Sequence, residues 1–206
     1  MKSLRIFKAL CLSLSIFLLA PSALSETAAV GKPAPTMSLQ NALGQTVSLS
    51  QFSGKVVVLE WFNQNCPFVK KFYANRDMQV FQKAAREKGA VWLTINSSAE
   101  GKQGYIAPQD AQSFAQEQGL DPASLLLDPE GSVGRSFGAR TTPHMFVVDQ
   151  KGALAYAGAI DSNPSTRSGD IASSTNYVMQ AVDALLQGRT PSPASTDSYG
   201  CSVKYK

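Results

Sequence analysis

One stretch limits the fold more tightly than any other. A four-residue apolar run, Val56 to Leu59, leads through Glu60, two aromatics and an Asn-Gln-Asn corner into Cys66-Pro67. From there Phe68, Val69, Phe72 and Tyr73 recur at helical spacing. A β-branched run of that length reads as a buried strand, and Pro67 suits a first helical turn because its missing N–H would be unpaired there anyway. Cys66 therefore falls at a strand-to-helix corner, at or just before the helix N-terminus. The free N–H groups and the helix dipole favour a thiolate there, and Lys70 and Lys71 add positive charge one turn on. A cysteine so placed is a candidate nucleophile, expected to be partly exposed and to ionise below its ordinary pKa. The plainer reading is a small buried core residue, which free cysteines often are.

The first 25 residues read as a secretory signal: a basic start, an apolar stretch from Ala9 to Ala20, Pro21, and a small-x-small ending at Ala23-Leu24-Ser25. The apolar part is too short for a permanent bilayer span. Removing Lys2, Arg5 and Lys8 takes the 19 basic residues to 16 against 15 acidic ones, so the formal charge of +4 nearly vanishes. No basic field remains to argue for nucleic acid, and no integral membrane segment is expected after processing. Of three cysteines, Cys11 leaves with the signal, and Cys66 and Cys201 remain. Two cysteines in an exported chain invite a disulfide reading, and the compartment expected is a bacterial periplasm.

Along the rest of the chain, Met37 to Leu49 alternates loosely around Gly44, as a short hairpin does. The helical pattern after Cys66 runs towards Lys88, with a break expected near Asn75 to Asp77. Val91 to Asn96 reads as a strand, Pro108 to about Gln118 as a helix, Leu125 to Leu127 as a short buried strand, and Gly131 to Phe137 as a helical turn or two. Met145 to Val148 and Ala153 to Gly158 flank a hairpin turn, and a last helix is expected over Ile171 to Leu186. Residues 26–188 then form one domain, and 189–206 an extended Pro- and Ser-rich tail carrying Cys201. The order β-α-β-α-β, then β-β-α, predicts an α/β fold: a mixed sheet with helices on both faces, its first part parallel and its last hairpin antiparallel.

That order, with Cys66 at the first strand-to-helix corner and Thr142-Pro143 before the last hairpin, resembles the thioredoxin-like fold. More narrowly it resembles the redoxin group, the alkyl hydroperoxide reductase and thiol-specific antioxidant (AhpC/TSA) relatives, over roughly Val30 to Leu186. The resemblance implies that Cys66 is the attacking cysteine, that Glu60 is the buried acid assisting proton transfer, and that Thr142-Pro143 is a cis bond holding a backbone edge open for a substrate strand. Pro67, Thr142, Pro143 and His144 would line the substrate side. Glu60 reads equally as a strand-end carboxylate paired with a lysine. Val69 stands where thioredoxins carry their second cysteine, so the resolving thiol of that motif is absent. Asn63 and Leu59 stand where peroxiredoxins have a Thr or Ser and a Pro, and Arg135 or Arg140 would have to supply their arginine.

His144, the only histidine, follows Pro143 and is expected near Cys66, as a base, as a cationic partner, or as a loop residue without a role. Cys66, His144 and Met145 are a soft donor set suited to copper, but strand alternation should point Met145 away from His144. No metal or cofactor is expected, and no Gly-rich phosphate loop appears. The run Tyr199 to Tyr205 is too rich in side chains for a disordered end, and it suggests a tail that folds back and supplies Cys201 as the second thiol. Three functions follow: an exported thiol–disulfide oxidoreductase with Cys66 as nucleophile and Cys201 resolving, a thiol peroxidase, or a non-catalytic binding or copper-site protein. Its partners would be a thiol, disulfide or peroxide substrate and an unidentified reductant.

Overall fold

The computed structural model describes residues 27–206. The expected signal segment, residues 1–25, lies outside them. The central strand β3 (Val57–Trp61) is buried at every position. It pairs in parallel with β4 (Val91–Asn96) and antiparallel with β7 (His144–Val148), so both of its edges are hydrogen-bonded. β5 (Leu125–Leu127) continues the parallel part, and β8 (Leu154–Gly158) closes the antiparallel hairpin with β7. The hairpin of β1 (Ser38–Asn41) and β2 (Thr46–Ser48) adds antiparallel to β5 through Gln40 and Leu127. The seven-stranded sheet is ordered β2-β1-β5-β4-β3-β7-β8.

Alternation along the strands divides the core. Val58, Glu60, Trp92, Met145 and Val147 face one side, beneath α1 (Pro67–Tyr73), α2 (Asp77–Glu87) and α5 (Tyr177–Leu186). α3 (Ala111–Glu117) packs on Leu125 and Leu127 on that same side. Leu59, Trp61, Ile95 and Phe146 face the other side, against α4 (Ser132–Phe137). Helices thus cover both faces, though unequally.

One boundary falls where the sequence places it, and one differs. The helix after Cys66 is cut in two by Arg76, which takes a left-handed φ of 63°, within the expected break. The last helix starts at Tyr177 and not near Ile171, because Thr175 and Asn176 are drawn into extended contacts. Ser162 N donates to the Thr175 carbonyl, Asn176 bridges to Asp161, and the Asn176 side chain then caps Met179 N at 2.9 Å.

Residues 189–206 run back over the domain. Ala194 and Thr196 bond to Ala157 on the β8 edge, Thr196 Oγ1 meets Tyr156 Oη at 2.7 Å, and the chain then continues past the end of β8 to β6. There β9 (Cys201–Ser202) pairs antiparallel with β6 (Thr141–Thr142), the two residues before Pro143.

Candidate active site

Cys66 is the cap residue of α1, with extended backbone (φ −76°, ψ 124°), and its carbonyl accepts from Val69 N and Lys70 N. The Asn corner holds it in place. Asn63 O accepts from Cys66 N at 3.0 Å, Asn63 Oδ1 accepts from Asn65 N at 2.8 Å, and Asn63 Nδ2 donates to the Gln103 carbonyl at 3.1 Å. Pro67 occupies the first helical position and is exposed.

The expectation of a partly exposed Cys66 is overturned: its exposed surface is 0%. The cause is the tail. Cys66 Sγ lies 3.0 Å from the Thr142 carbonyl oxygen and 2.8 Å from Cys201 Sγ, both thiols being free. Burial is the largest influence on Cys66 and resists its ionisation, but hydrogen bonds from the Cys201 thiol, the Thr142 side chain and the Cys201 and Val69 amides together outweigh it and hold the thiol below its ordinary value. The Thr142 carbonyl can only accept and so favours the protonated form, against these donors. Cys201, half-buried, is pushed up to about 11 by burial and by its donation to Cys66. The two sulfurs thus share a proton unequally, the inner one as the better anion and the outer one as the donor.

The Thr142-Pro143 bond is cis, and Thr142 is the residue of that pair that touches Cys66. Glu60 is fully buried, and its carboxylate accepts from Tyr73 Oη (2.8 Å), Trp92 Nε1 (2.9 Å), Gln82 Nε2 (3.3 Å) and Thr94 Oγ1 (3.3 Å). Burial raises its pKa against those four donors. No lysine pairs with it among the described residues; Tyr73, one of its donors, packs its ring on Phe62 at 5.0 Å, at the edge of the cluster that holds Cys66.

His144 does not join Cys66. It sits opposite Trp61 in register, stacks on Phe146 at 4.4 Å and accepts Arg140 N at Nδ1, on the sheet face away from Glu60. Burial, with Arg140 nearby, lowers its pKa to about 4, so it is neutral at ordinary pH and no cationic partner for a thiolate. Met145 faces Glu60 across the strands. Cys66, His144 and Met145 therefore do not converge.

Sequence reasoning missed a buried cluster beside the thiols. Lys71 reads in the sequence as free positive charge, yet its ammonium is buried and bonds to Asp161 Oδ2 and the Asn163 carbonyl, each at 2.8 Å. Asp161 Oδ1 in turn accepts the hydroxyl of Tyr199, two residues before Cys201. The positive charge is spent on anchoring the tail. The only signal in the sequence was Tyr199 itself, since Asp161 lies 90 residues from Lys71.

The AhpC/TSA family model matches residues 30–157. The chain belongs to the AhpC/TSA family. No curated protein matches it. Among solved structures, an uncharacterised conserved protein of Geobacillus kaustophilus is 28% identical, with a TM-score of 0.72 over 86% of this chain and 93% of its own. A hypothetical protein of Sinorhizobium meliloti has the same TM-score at 22% identity, over 88% and 97%. A putative thiol:disulfide interchange protein DsbE of Chlorobium tepidum has a TM-score of 0.52 at 24% identity, over 64% and 85%. The fold is thioredoxin-like. The AhpC/TSA match takes in Glu60, Cys66 and Pro143 but ends within β8, so α5 and the tail with Cys201 stand outside it.

Proposed function

We propose that this AhpC/TSA chain is an exported thiol–disulfide oxidoreductase in which Cys66 is the nucleophile and Cys201 resolves it. The observation that carries the reading is the 2.8 Å approach of the two free sulfurs across 135 residues of sequence. The Cys66 thiolate attacks one sulfur of a substrate disulfide, forming a mixed disulfide and expelling the first substrate thiolate. Cys201, giving up its proton, attacks the Cys66 sulfur, closes the Cys66–Cys201 bond and releases the second. The substrate gains two electrons, and an external thiol reductant returns them to the protein. Because Cys201 covers Cys66, substrate entry requires the outer sulfur to move aside.

Glu60, held by Tyr73, Trp92, Gln82 and Thr94, serves as the buried acid behind the corner. Export is supported by the pattern of residues 1–25, and the working unit would be the domain 26–188 with the tail 189–206 as its mobile arm. The similarity to a putative thiol:disulfide interchange protein accords with interchange chemistry. A peroxidase is less well supported. Asn63 spends its side chain on Asn65 and Gln103, Leu59 is core, and Arg135 stacks on Tyr205 while bonding to the Glu130 and Lys206 carbonyls.

Mass spectrometry after oxidant and after mild reductant tests the reading. A Cys66–Cys201 link that forms and reopens, with Cys66→Ser removing all disulfide exchange while the protein stays folded, is expected. Two free thiols after oxidant, or full activity in Cys66→Ser, would remove Cys66 and Cys201 from the chemistry.

A further inference from the structure

Thr141 and Thr142 form a short strand whose outer edge passes directly over the reactive sulfur, since the Thr142 carbonyl is 3.0 Å from Cys66 Sγ. An extended polypeptide that brings a sulfur to Cys66 would pair with that edge, because main-chain hydrogen bonds to a free strand edge are how extended chains are held. The protein's own tail does this. Cys201 stands opposite Thr142 and Ser202 opposite Thr141, and the pairing lands Cys201 Sγ on Cys66 Sγ. The edge is therefore occupied.

The occupant is built to stay. Gly200 takes φ 132°, a region that favours glycine, and a side chain there would collide with the Thr142 carbonyl, so the tail lies closer to β6 than any other residue would permit. On one side Tyr199 holds the Asp161–Lys71 pair and packs on Phe68. On the other, Val203 N donates to the Arg140 carbonyl, Ala99 N to the Lys204 carbonyl, and Tyr205 Oη to the Ala139 carbonyl at 2.8 Å. A gap at Cys201 alone would admit a small molecule. An extended peptide needs the whole segment from Tyr199 to Lys204 lifted away.

From this we infer that the tail is a built-in substrate strand that restricts the site to low-molecular-weight disulfides and excludes extended polypeptide disulfides, with Gly200 and Tyr199 as the residues that set this specificity. The inference rests on the proposed exchange activity and adds its substrate class. With either probe the first step is the same: Cys66 thiolate displaces one glutathione thiolate and forms a mixed disulfide.

The test compares two probes of identical leaving group, glutathione disulfide and a ten-residue extended peptide whose single cysteine is in mixed disulfide with glutathione. Each is reacted with the reduced full chain and read by quenched mass spectrometry. The wild type is expected to prefer glutathione disulfide at least tenfold. Gly200→Ala, which keeps both cysteines but cannot seat the tail, should bring the ratio of the two rates near one, and Tyr199→Phe, which loosens the tail, should shift it about tenfold the same way. Should Gly200→Ala fail to fold, the Tyr199→Phe ratio decides. A wild-type ratio near one, or a ratio that neither variant moves, overturns the size restriction while leaving the exchange activity standing. Rates with glutathione disulfide that survive Cys66→Ser overturn the activity, and this inference with it.

Discussion

The two halves of the site are held in opposite ways. The corner from Val57 to Tyr73 is placed by its own neighbourhood: a strand buried at every position, an Asx-type turn, and a helix whose Val69 and Phe72 sink into the core. The tail from Ala194 to Lys206 has a two-residue strand and otherwise half-exposed side chains tied by scattered polar contacts. Dispersed anchors with little buried apolar surface open at lower free energy than core strands do. One sulfur therefore sits on a rigid frame and its partner on a releasable one, the division of labour a nucleophile and a resolving thiol need.

The harshest way to break this contrast is at the buried charge pair that both regions share. Asp161→Ala strips the counter-ion from Lys71 of α1 and the acceptor from Tyr199 of the tail together. Leaving a buried ammonium unpaired costs about 3–5 kcal/mol, so urea unfolding should show a loss of that order. A loss under about 1 kcal/mol, the range of an exposed pair, would mean that the cluster anchors neither region.

Acid sharpens the contrast at the hinge between them. Arg140 donates its N–H to His144 Nδ1 and accepts Val203 N at its carbonyl. His144 titrates at about 4 in the fold, against an ordinary 6.5. The unfolded chain therefore takes up a proton that the folded one refuses. Stability from this group is complete above pH 6.5 and falls as pH drops towards 4, by up to about 3 kcal/mol. His144→Asn should be flatter over that interval. Equal slopes in the two proteins would assign the acid loss to other groups.

What could be read from the sequence follows the same division. The strand, the Pro67 helix start and the break near Asn75 are local patterns, and the structure has them where the residues place them, so the thioredoxin-like order was legible. The docked tail rests on contacts between Lys71, Asp161 and Tyr199 that no periodicity encodes. The fold-back was legible in Tyr199 to Tyr205, but not how closely the tail seats, so Cys66 was expected partly exposed and lies covered. His144 was misplaced for a related reason. Adjacency to Pro143 in sequence says nothing about which sheet face a strand residue takes until the register against Trp61 is known.

A smaller effect separates the two sulfurs themselves. Cys201→Ala removes the S–H that offsets burial at Cys66, so the pH midpoint of Cys66 alkylation should rise. It should rise even though the sulfur becomes more accessible and its alkylation above the midpoint faster. A midpoint that stays put would show that the Cys201 thiol contributes nothing to the lowering, which would then rest on Thr142 and the backbone amides.

The mildest change tests whether the tail opens on its own. Tyr199→Phe keeps the ring on Phe68 and leaves Asp161 bonded to Lys71 and to Asn163 N, so it removes one hydrogen bond to a charged group and strands no charge. Such a bond is worth about 1.5 kcal/mol, or roughly a tenfold change in the opening equilibrium. Because the tail is tied independently of β3, that change should appear in the tail alone. In hydrogen exchange of the reduced protein, the Val203 amide, bonded to the Arg140 carbonyl, should exchange about tenfold faster, while the β3 amides from Val57 to Trp61 keep their rates. If Val203 and β3 quicken together, tail and corner are a single cooperative unit, and Cys201 is not carried on a separately releasable arm.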